Sequence, residues 1–414
     1  MTRTDAVVLG AGIVGTSVAL HLVKRGLSVA LVDRRGPGEE TSYGNAGIIE
    51  GATIYPPAFP KGFSELASIA LKRASGTNYH LAFLPQIAPW LLSFRFWSTP
   101  QHLAATARLM RPLFDLAVAE HEFLMMESGA QSYLRNTGWL ILYRSEGTFA
   151  ATSSERDLAS EFGVPYRVLD VEAARDLEPS LAPVFRRLVH WESVASVSNP
   201  LAETRAFAAR FAALGGIVLQ GDVRTLCRSN GRWNVHTSSG QIDASDVIVS
   251  LGPWTLDVLR PLGIKLPLAI KRGYHRHFYP SRNASWARPV LDIENGYCLA
   301  PMEQGIRLTT GVEFADRDAR PTPVQFDRLM PAAKGLFPLG APVETDPWMG
   351  SRPCFADSRP VIGRAAKHPG LWLAFGHGHW GLTLGPVTGR LIAELVTGVT
   401  PFCDPAPYAA ERFV

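Results

Sequence analysis

The chain has 414 residues, of which 46% are hydrophobic and 19% charged. That composition excludes a disordered polymer, and a chain of this length buries about three-quarters of its unfolded surface, enough for a large core or for two domains sharing one. Lys and Arg outnumber Asp and Glu by 41 to 37 and form no basic block, so nucleic acid is not an expected partner.

Asp5–Leu9 is a short apolar, β-branched run that reads as a buried parallel strand. Ile13–Arg25 has helical apolar spacing and stops at Gly26, and Leu27–Val32 is a second buried strand ending at Asp33. Strand, helix and strand within about 30 residues make a βαβ unit. The stretch from Ala6 to Val23 is also nearly long and apolar enough to span a membrane. It lacks a strong basic leader and a clean cleavage site, and it carries glycines at 10, 12 and 15. Four cysteines (Cys227, Cys298, Cys354, Cys403) with no CxxC pair fit a reducing compartment rather than a disulfide or zinc scaffold. The cytoplasm is the expected location.

From Tyr55 to about Phe96 the character changes, with clustered prolines first, and the Leu-, Trp- and Phe-rich stretch from Phe59 to Phe96 predicts helices covering a site or an apolar patch against a membrane surface. Helices are predicted over Ala105–Met126, Ala151–Phe162, Val171–Leu177, Leu201–Leu214 and Leu382–Val396. Strands are predicted at Gly138–Tyr143, Ile217–Gln220, Arg232–Thr237, Asp246–Leu251, Tyr274–Tyr279, Tyr297–Pro301, Ile306–Gly311 and Leu371–Phe375.

Gly10-Ala11-Gly12-Ile13-Val14-Gly15 matches GxGxxG between a strand and a helix, the context in which the motif carries meaning. The first glycine permits the tight turn, the second lets backbone approach a pyrophosphate, and the third lets helix and strand pack closely. Asp33, 18 residues past Gly15, stands where a carboxylate accepts hydrogen bonds from ribose. The motif by itself does not separate FAD from NAD. Gly376–Gly381 also spells GxGxxG, but only one helix and a Pro-rich tail follow, so no second βαβ unit and no NAD(P)H site is expected.

Further motifs follow in order: Thr41-Ser42-Tyr43-Gly44-Asn45-Ala46-Gly47, Val249-Ser250-Leu251-Gly252-Pro253-Trp254, Gly350-Ser351-Arg352-Pro353, Arg359-Pro360-Val361-Ile362-Gly363 and Gly376-His377-Gly378-His379-Trp380-Gly381. Together with Gly10–Gly15 and Asp33, this series resembles the FAD-dependent D-amino-acid oxidase, glycine oxidase and sarcosine oxidase superfamily. The Ser-Tyr-Gly-Asn-Ala-Gly and His-Gly-His segments are most similar to bacterial D-amino-acid dehydrogenases. The resemblance implies an α/β fold: a glutathione-reductase-type FAD-binding Rossmann domain interleaved with a substrate domain on a mostly antiparallel sheet. The FAD-binding domain is expected from 1–80, 197–268 and 347–414, and the substrate domain from 81–196 and 269–346. The cofactor residues are expected to be Gly10, Ala11, Gly12, Ile13, Val14, Gly15, Asp33, Arg34, Thr41, Ser42, Asn45, Ala46, Gly47, Val223, Gly252, Trp254, Gly376, His377, Gly378, Gly381, Leu382 and Thr383. FAD is expected to be non-covalent, because the offset of Cys354 from Asp357 does not match the linkage cysteine of sarcosine oxidases.

The resemblance further implies FAD-dependent dehydrogenation of a D-amino acid, a cyclic one such as a D-proline derivative included, by hydride transfer from Cα. Such chemistry needs a planar, bidentate cation for the substrate carboxylate, and arginine fits best. The family's Gly-x-Arg-Pro arginine carries that role, which falls on Arg352. A tyrosine of the antiparallel sheet lies over substrate in this family, making Tyr274, His275 and Tyr297 the other catalytic candidates. Alternation puts Tyr274, Arg276 and Phe278 on one face and His275, His277 and Tyr279 on the other, without saying which face meets the flavin. His377 is expected beside the cofactor and His379 toward substrate or solvent. No metal is expected, since no Cys, Asp or Glu stands at ligand spacing to the two histidines. The electron acceptor is a quinone of the respiratory chain or oxygen, and peripheral contact with the inner membrane face would suit the former. Two other readings stay open: a glycine- or sarcosine-type oxidase that makes hydrogen peroxide, and a catalytically silent flavin-binding subunit.

Overall fold

The protein is described by a computed structural model that covers residues 2–51, 55–60, 62–281 and 283–413. Its first sheet grows from the apolar N-terminal strand Thr2–Leu9, whose Ala6, Val7, Val8 and Leu9 are fully buried. Burial on both faces is what a parallel strand with helices on either side requires. Val29–Asp33 and Gly240–Val249 flank it in parallel, with Val7 opposite both Ala30 and Val247. Ile217–Ser229 and Leu371–Phe375 extend the parallel set at its two edges, and Val361–Arg364 closes one edge antiparallel. Arg232–Thr237 joins the far halves of Ile217–Ser229 and Gly240–Val249 as an antiparallel meander. Sequence periodicity ends the strand at Gln220; it runs nine residues further because the meander supplies hydrogen-bond partners to largely exposed residues.

One face of this sheet is covered by the helices Ile13–Lys24, Pro100–Ser128, Pro200–Ala213 and Gly381–Thr397. Two boundaries moved outward to prolines, which suit a helix's first turn. Thr99 caps the helix that begins at Pro100, and Asn199 caps the one that begins at Pro200. The helix expected over Ala151–Phe162 is instead two, Glu146–Ala151 and Ser153–Glu161. Thr152 separates them, its hydroxyl turned back onto the Thr148 and Phe149 carbonyls.

Among the described residues the second sheet has eleven strands. Its spine is Ala269–Pro280, five residues longer at its start than periodicity suggests. Gly305–Thr309, Val312–Phe314, Leu339–Pro342 and Trp348–Cys354 all pair with it antiparallel. Tyr297–Met302, Val290–Asp292, Trp139–Tyr143, Arg187–Trp191 and Tyr166–Leu169 continue the sheet away from the spine. A small sheet of Ile48–Ile49, Ala195–Val197 and Leu134–Arg135 links the two. The architecture is thus α/β, with a doubly covered parallel sheet beside a mostly antiparallel one. Among the described residues no helix is long and apolar enough to cross a membrane.

Candidate active site

At the end of the first strand the chain makes the turn that the glycines foretell. Gly10 has φ +103°, and a Cβ there would lie 2.4 Å from the Ser250 carbonyl oxygen. Ala11 N–H donates to Asp33 Oδ2 at 2.6 Å, and Ile13 N–H donates to Ser42 Oγ at 2.9 Å. The first-turn amides of Ile13–Lys24 therefore open onto a slot with a carboxylate on its far side. Arg34 lies 4.2 Å over the Trp254 ring, closing that slot's outer end.

The slot is one arm of a cavity of about 1800 Å³. Of the expected cofactor residues, Gly10, Gly12, Ile13, Val14, Asp33, Arg34, Thr41, Ser42, Asn45, Ala46, Val223, Gly252, Trp254, Gly376, His377, Gly378, Gly381 and Leu382 line it. Ala11, Gly15, Gly47 and Thr383 stand behind the wall. Gly15 packs under the Gly10 carbonyl, and Thr383 Oγ1 donates to the Ile48 carbonyl while accepting from Glu50 N–H. Loop amides, an acidic strand end and a cavity this large fit a dinucleotide: the amides for the pyrophosphate, Asp33 for a ribose. His377 Nε2 lies 3.0 Å from Thr388 Oγ1, and burial pushes its pKa down to about 3, so the ring is neutral. Among the described residues no group of three or more His, Cys, Asp or Glu is placed to hold a metal ion.

The other arm is built on the antiparallel sheet. Arg352 sits on Trp348–Cys354, opposite Lys271 of the spine, and its guanidinium covers Gly273, where a Cβ would lie 2.4 Å from Nη1. Nη1 donates to the Gly311 carbonyl at 3.2 Å. Among the described residues Arg352 makes no salt bridge, and burial lowers its pKa. Lys271 is buried in an aromatic corner, its ammonium 4.7 Å from the Trp90 ring and 4.4 Å from the Phe94 ring. Burial, then the charges of Arg352 and Lys271, hold His379 well below the usual histidine range. Two buried basic groups thus stand at this end, Arg352 in the cavity wall and Lys271 beside it on the neighbouring strand.

Tyr274 and Tyr297 both line the cavity, whereas His275 does not. Tyr274's hydroxyl is committed elsewhere, donating to Glu313 Oε2 at 2.5 Å and accepting from Thr322 N–H at 2.8 Å. Burial and, second, the Asp292 carboxylate raise Tyr297's pKa. His275 shares the Gly273 side of the strand but is packed against Tyr43 and Trp348, with ring centroids 5.3 and 4.8 Å away. Burial lowers its pKa and keeps it neutral.

Several carboxylates that sequence reading missed also line the wall, Glu50, Glu155 and Glu294 among them. Glu50 follows the small-sheet strand Ile48–Ile49, where only its place after the Gly-Asn-Ala-Gly run offered a signal. Glu155 lies in the helix Ser153–Glu161, which sequence reading identified only as part of a helix over Ala151–Phe162. Trp380 Nε1 donates to Glu50 Oε2 at 3.2 Å.

Residues 5–395 match the family model described as FAD dependent oxidoreductase. The chain belongs to that family. Similar members include a D-amino acid dehydrogenase from Rhizobium johnstonii, 31% identical over 98% of this chain and 99% of that protein. A D-amino-acid oxidase from Bradyrhizobium diazoefficiens is 29% identical over 98% of both chains. In three dimensions the glycine oxidase of Geobacillus kaustophilus superposes with a TM-score of 0.77 over the whole of both chains, at 22% identity, which shows the shared fold. This chain is therefore an FAD-dependent oxidoreductase.

Proposed function

We propose that this flavoprotein dehydrogenates a D-amino acid, with Arg352 gripping the substrate carboxylate. The observation that carries the reading is a desolvated guanidinium at the cavity wall that no carboxylate of the described residues neutralises. FAD, when bound non-covalently, supplies the acceptor for the hydride that leaves Cα. Around it the chain holds the acid group, excludes water with Tyr274, Tyr297 and Trp348, and keeps His377 and His379 uncharged. The amine, bound neutral, forms the C=N bond of an iminium with its lone pair as the hydride leaves, and for a primary amine water then converts the iminium to the oxo acid and ammonium. The stereochemistry rests on the names of the relatives, and cyclic D-proline derivatives belong to the same class. The interleaved division into 1–80, 197–268 and 347–414 against 81–196 and 269–346 is part of this reading, although Thr77–Tyr79 and Trp348–Cys354 bond to the second sheet.

Anaerobic mixing of the holoenzyme with D- and L-amino acids tests it. The flavin band is expected to bleach with D- and not with L-enantiomers, and bleaching by L-amino acids alone would refute the assignment. Slow reoxidation by air with fast reoxidation by a quinone marks a dehydrogenase; the reverse marks a peroxide-forming oxidase.

Electron delivery to a quinone would be served by a membrane-touching ledge. Phe63 is 88% exposed, and Leu71, Leu81, Leu92 and Phe96 are also exposed, with Lys72, Arg73 and Arg95 interspersed. Apolar tips among basic side chains suit an anionic lipid surface. The holoenzyme should float with anionic vesicles, and the double change Phe63→Ser with Leu92→Ser should release it. Equal flotation of both proteins would discard the ledge.

A further inference from the structure

The helix Gly381–Thr397 carries a proline in its second turn, Pro386. An α-helix closes on N–H groups that donate four residues back, and proline has none to give. The Leu382 carbonyl is thereby left without its helical donor. His121, on the neighbouring helix Pro100–Ser128, takes that place: its Nε2 lies 2.9 Å from the Leu382 oxygen. A carbonyl oxygen only accepts, so this nitrogen carries the proton. On the other side of the ring, Nδ1 lies 2.7 Å from Oε1 of Glu203 on a third helix, Pro200–Ala213. Both side chains are fully buried, and Glu203 Oε2 has no hydrogen-bond partner among the described residues.

Packing alone does not call for such a pair, because apolar side chains of similar volume fill a core as well or better. What they cannot supply is a donor for a stranded buried carbonyl, which otherwise keeps its whole desolvation penalty. The carbonyl in question stands in a telling place. Gly381 and Leu382 line the cofactor cavity, so the positive end of this helix lies in the cavity wall. One turn on, Gly385 packs against the start of Ile13–Lys24, where a Cβ would lie 3.0 Å from Ile13 Cγ1. A shift of this first turn would therefore be felt at both helix starts along the cavity. We infer that His121 and Glu203 are positioning residues for the flavin: the pair replaces the amide that Pro386 lacks, and so fixes the cavity-facing turn of Gly381–Thr397. The inference uses FAD as the cofactor and nothing about the substrate.

Restoring the missing amide tests it, because Pro386→Ala should make the pair dispensable. His121→Leu combined with Glu203→Leu removes both polar groups and strands only the Leu382 carbonyl. Titration of the apoprotein should then show FAD bound at least tenfold more weakly. The midpoint potential of the bound flavin should also become more negative, since reduction adds negative charge that the helix end favours. With Pro386→Ala added, FAD affinity should return to within threefold of Pro386→Ala alone, and the potential should return with it. Glu203→Gln should stay within threefold of the parent, because the new amide can donate to Nδ1 and keep Nε2–H on the carbonyl. Parental affinity or an unmoved potential in the double change overturns the inference. So does a loss of equal size with and without Pro386→Ala, or a Glu203→Gln protein as weak as the double change. Nitrogen NMR of histidine-labelled parent protein, with His121 assigned through His121→Gln, decides the matter independently of how the leucine variants fold. A protonated Nε2 upholds the bond to Leu382, and an unprotonated one overturns it.

Discussion

Replacing Arg352 by lysine is expected to raise KM for a D-amino acid more than tenfold while the protein keeps its FAD. Lysine preserves the charge but loses the planar fork that pairs two N–H groups with two carboxylate oxygens. Alanine removes the charge as well and leaves a substrate carboxylate desolvated without a partner. Truncating one member of a buried charged pair costs about 2–5 kcal/mol, or roughly thirty- to several-thousand-fold in kcat/KM. Gly273→Ala reaches the same result without touching the arginine. Its Cβ would fall 2.4 Å from Nη1 and 2.6 Å from Nη2, so the flexible end of Arg352 must swing off the strand. The fold tolerates that shift, and KM should rise with little change in Tm. Stopped-flow bleaching across a substrate series separates KM from the reduction rate. An unchanged KM in Arg352→Lys would take the carboxylate away from Arg352.

The parts of this site that local chemistry dictates were legible in the sequence. Gly10 and Asp33 announce themselves because a turn with positive φ that passes close to Ser250, and a strand-end carboxylate, each admit few residue types. Arg352 was found through its Gly-x-Arg-Pro setting, but its partner Gly273 was not. The contact between them arises from an antiparallel pairing across 79 residues of chain, which no periodicity reports. Alternation along Tyr274–Tyr279 separated the two faces correctly and left their destinations open. The structure fixes them by committing Tyr274's hydroxyl to Glu313 and packing His275 against Trp348. Glu50 and Glu155 were invisible for a related reason. An acidic residue after a short strand or on a small helix looks solvated until tertiary packing turns it toward a cavity.

Gly10→Ala should yield protein that is nearly colourless, with FAD affinity lowered at least tenfold. The backbone at this position has φ +103°, outside the small left-handed region that L-residues sometimes adopt, and such strain costs on the order of 1–3 kcal/mol. The added methyl would also sit 2.4 Å from the Ser250 carbonyl oxygen and 2.8 Å from its carbon, both backbone atoms held by the parallel sheet. Neither atom can yield as a side chain would, so the loop itself must move. That displaces the N–H of Ala11, now 2.6 Å from Asp33 Oδ2, and the first-turn amides of Ile13–Lys24. Pyrophosphate binding needs those donors convergent, because their partial charges add only when they point at one place. Flavin content is read from visible absorbance per polypeptide, and affinity from titration of the apoprotein with FAD. The sheet should survive, leaving far-ultraviolet circular dichroism close to the parent and confining the loss to the cofactor arm. Full flavin content with an unaltered dissociation constant would mean that the loop carries no phosphate, and the assignment of this arm to FAD would fall with it.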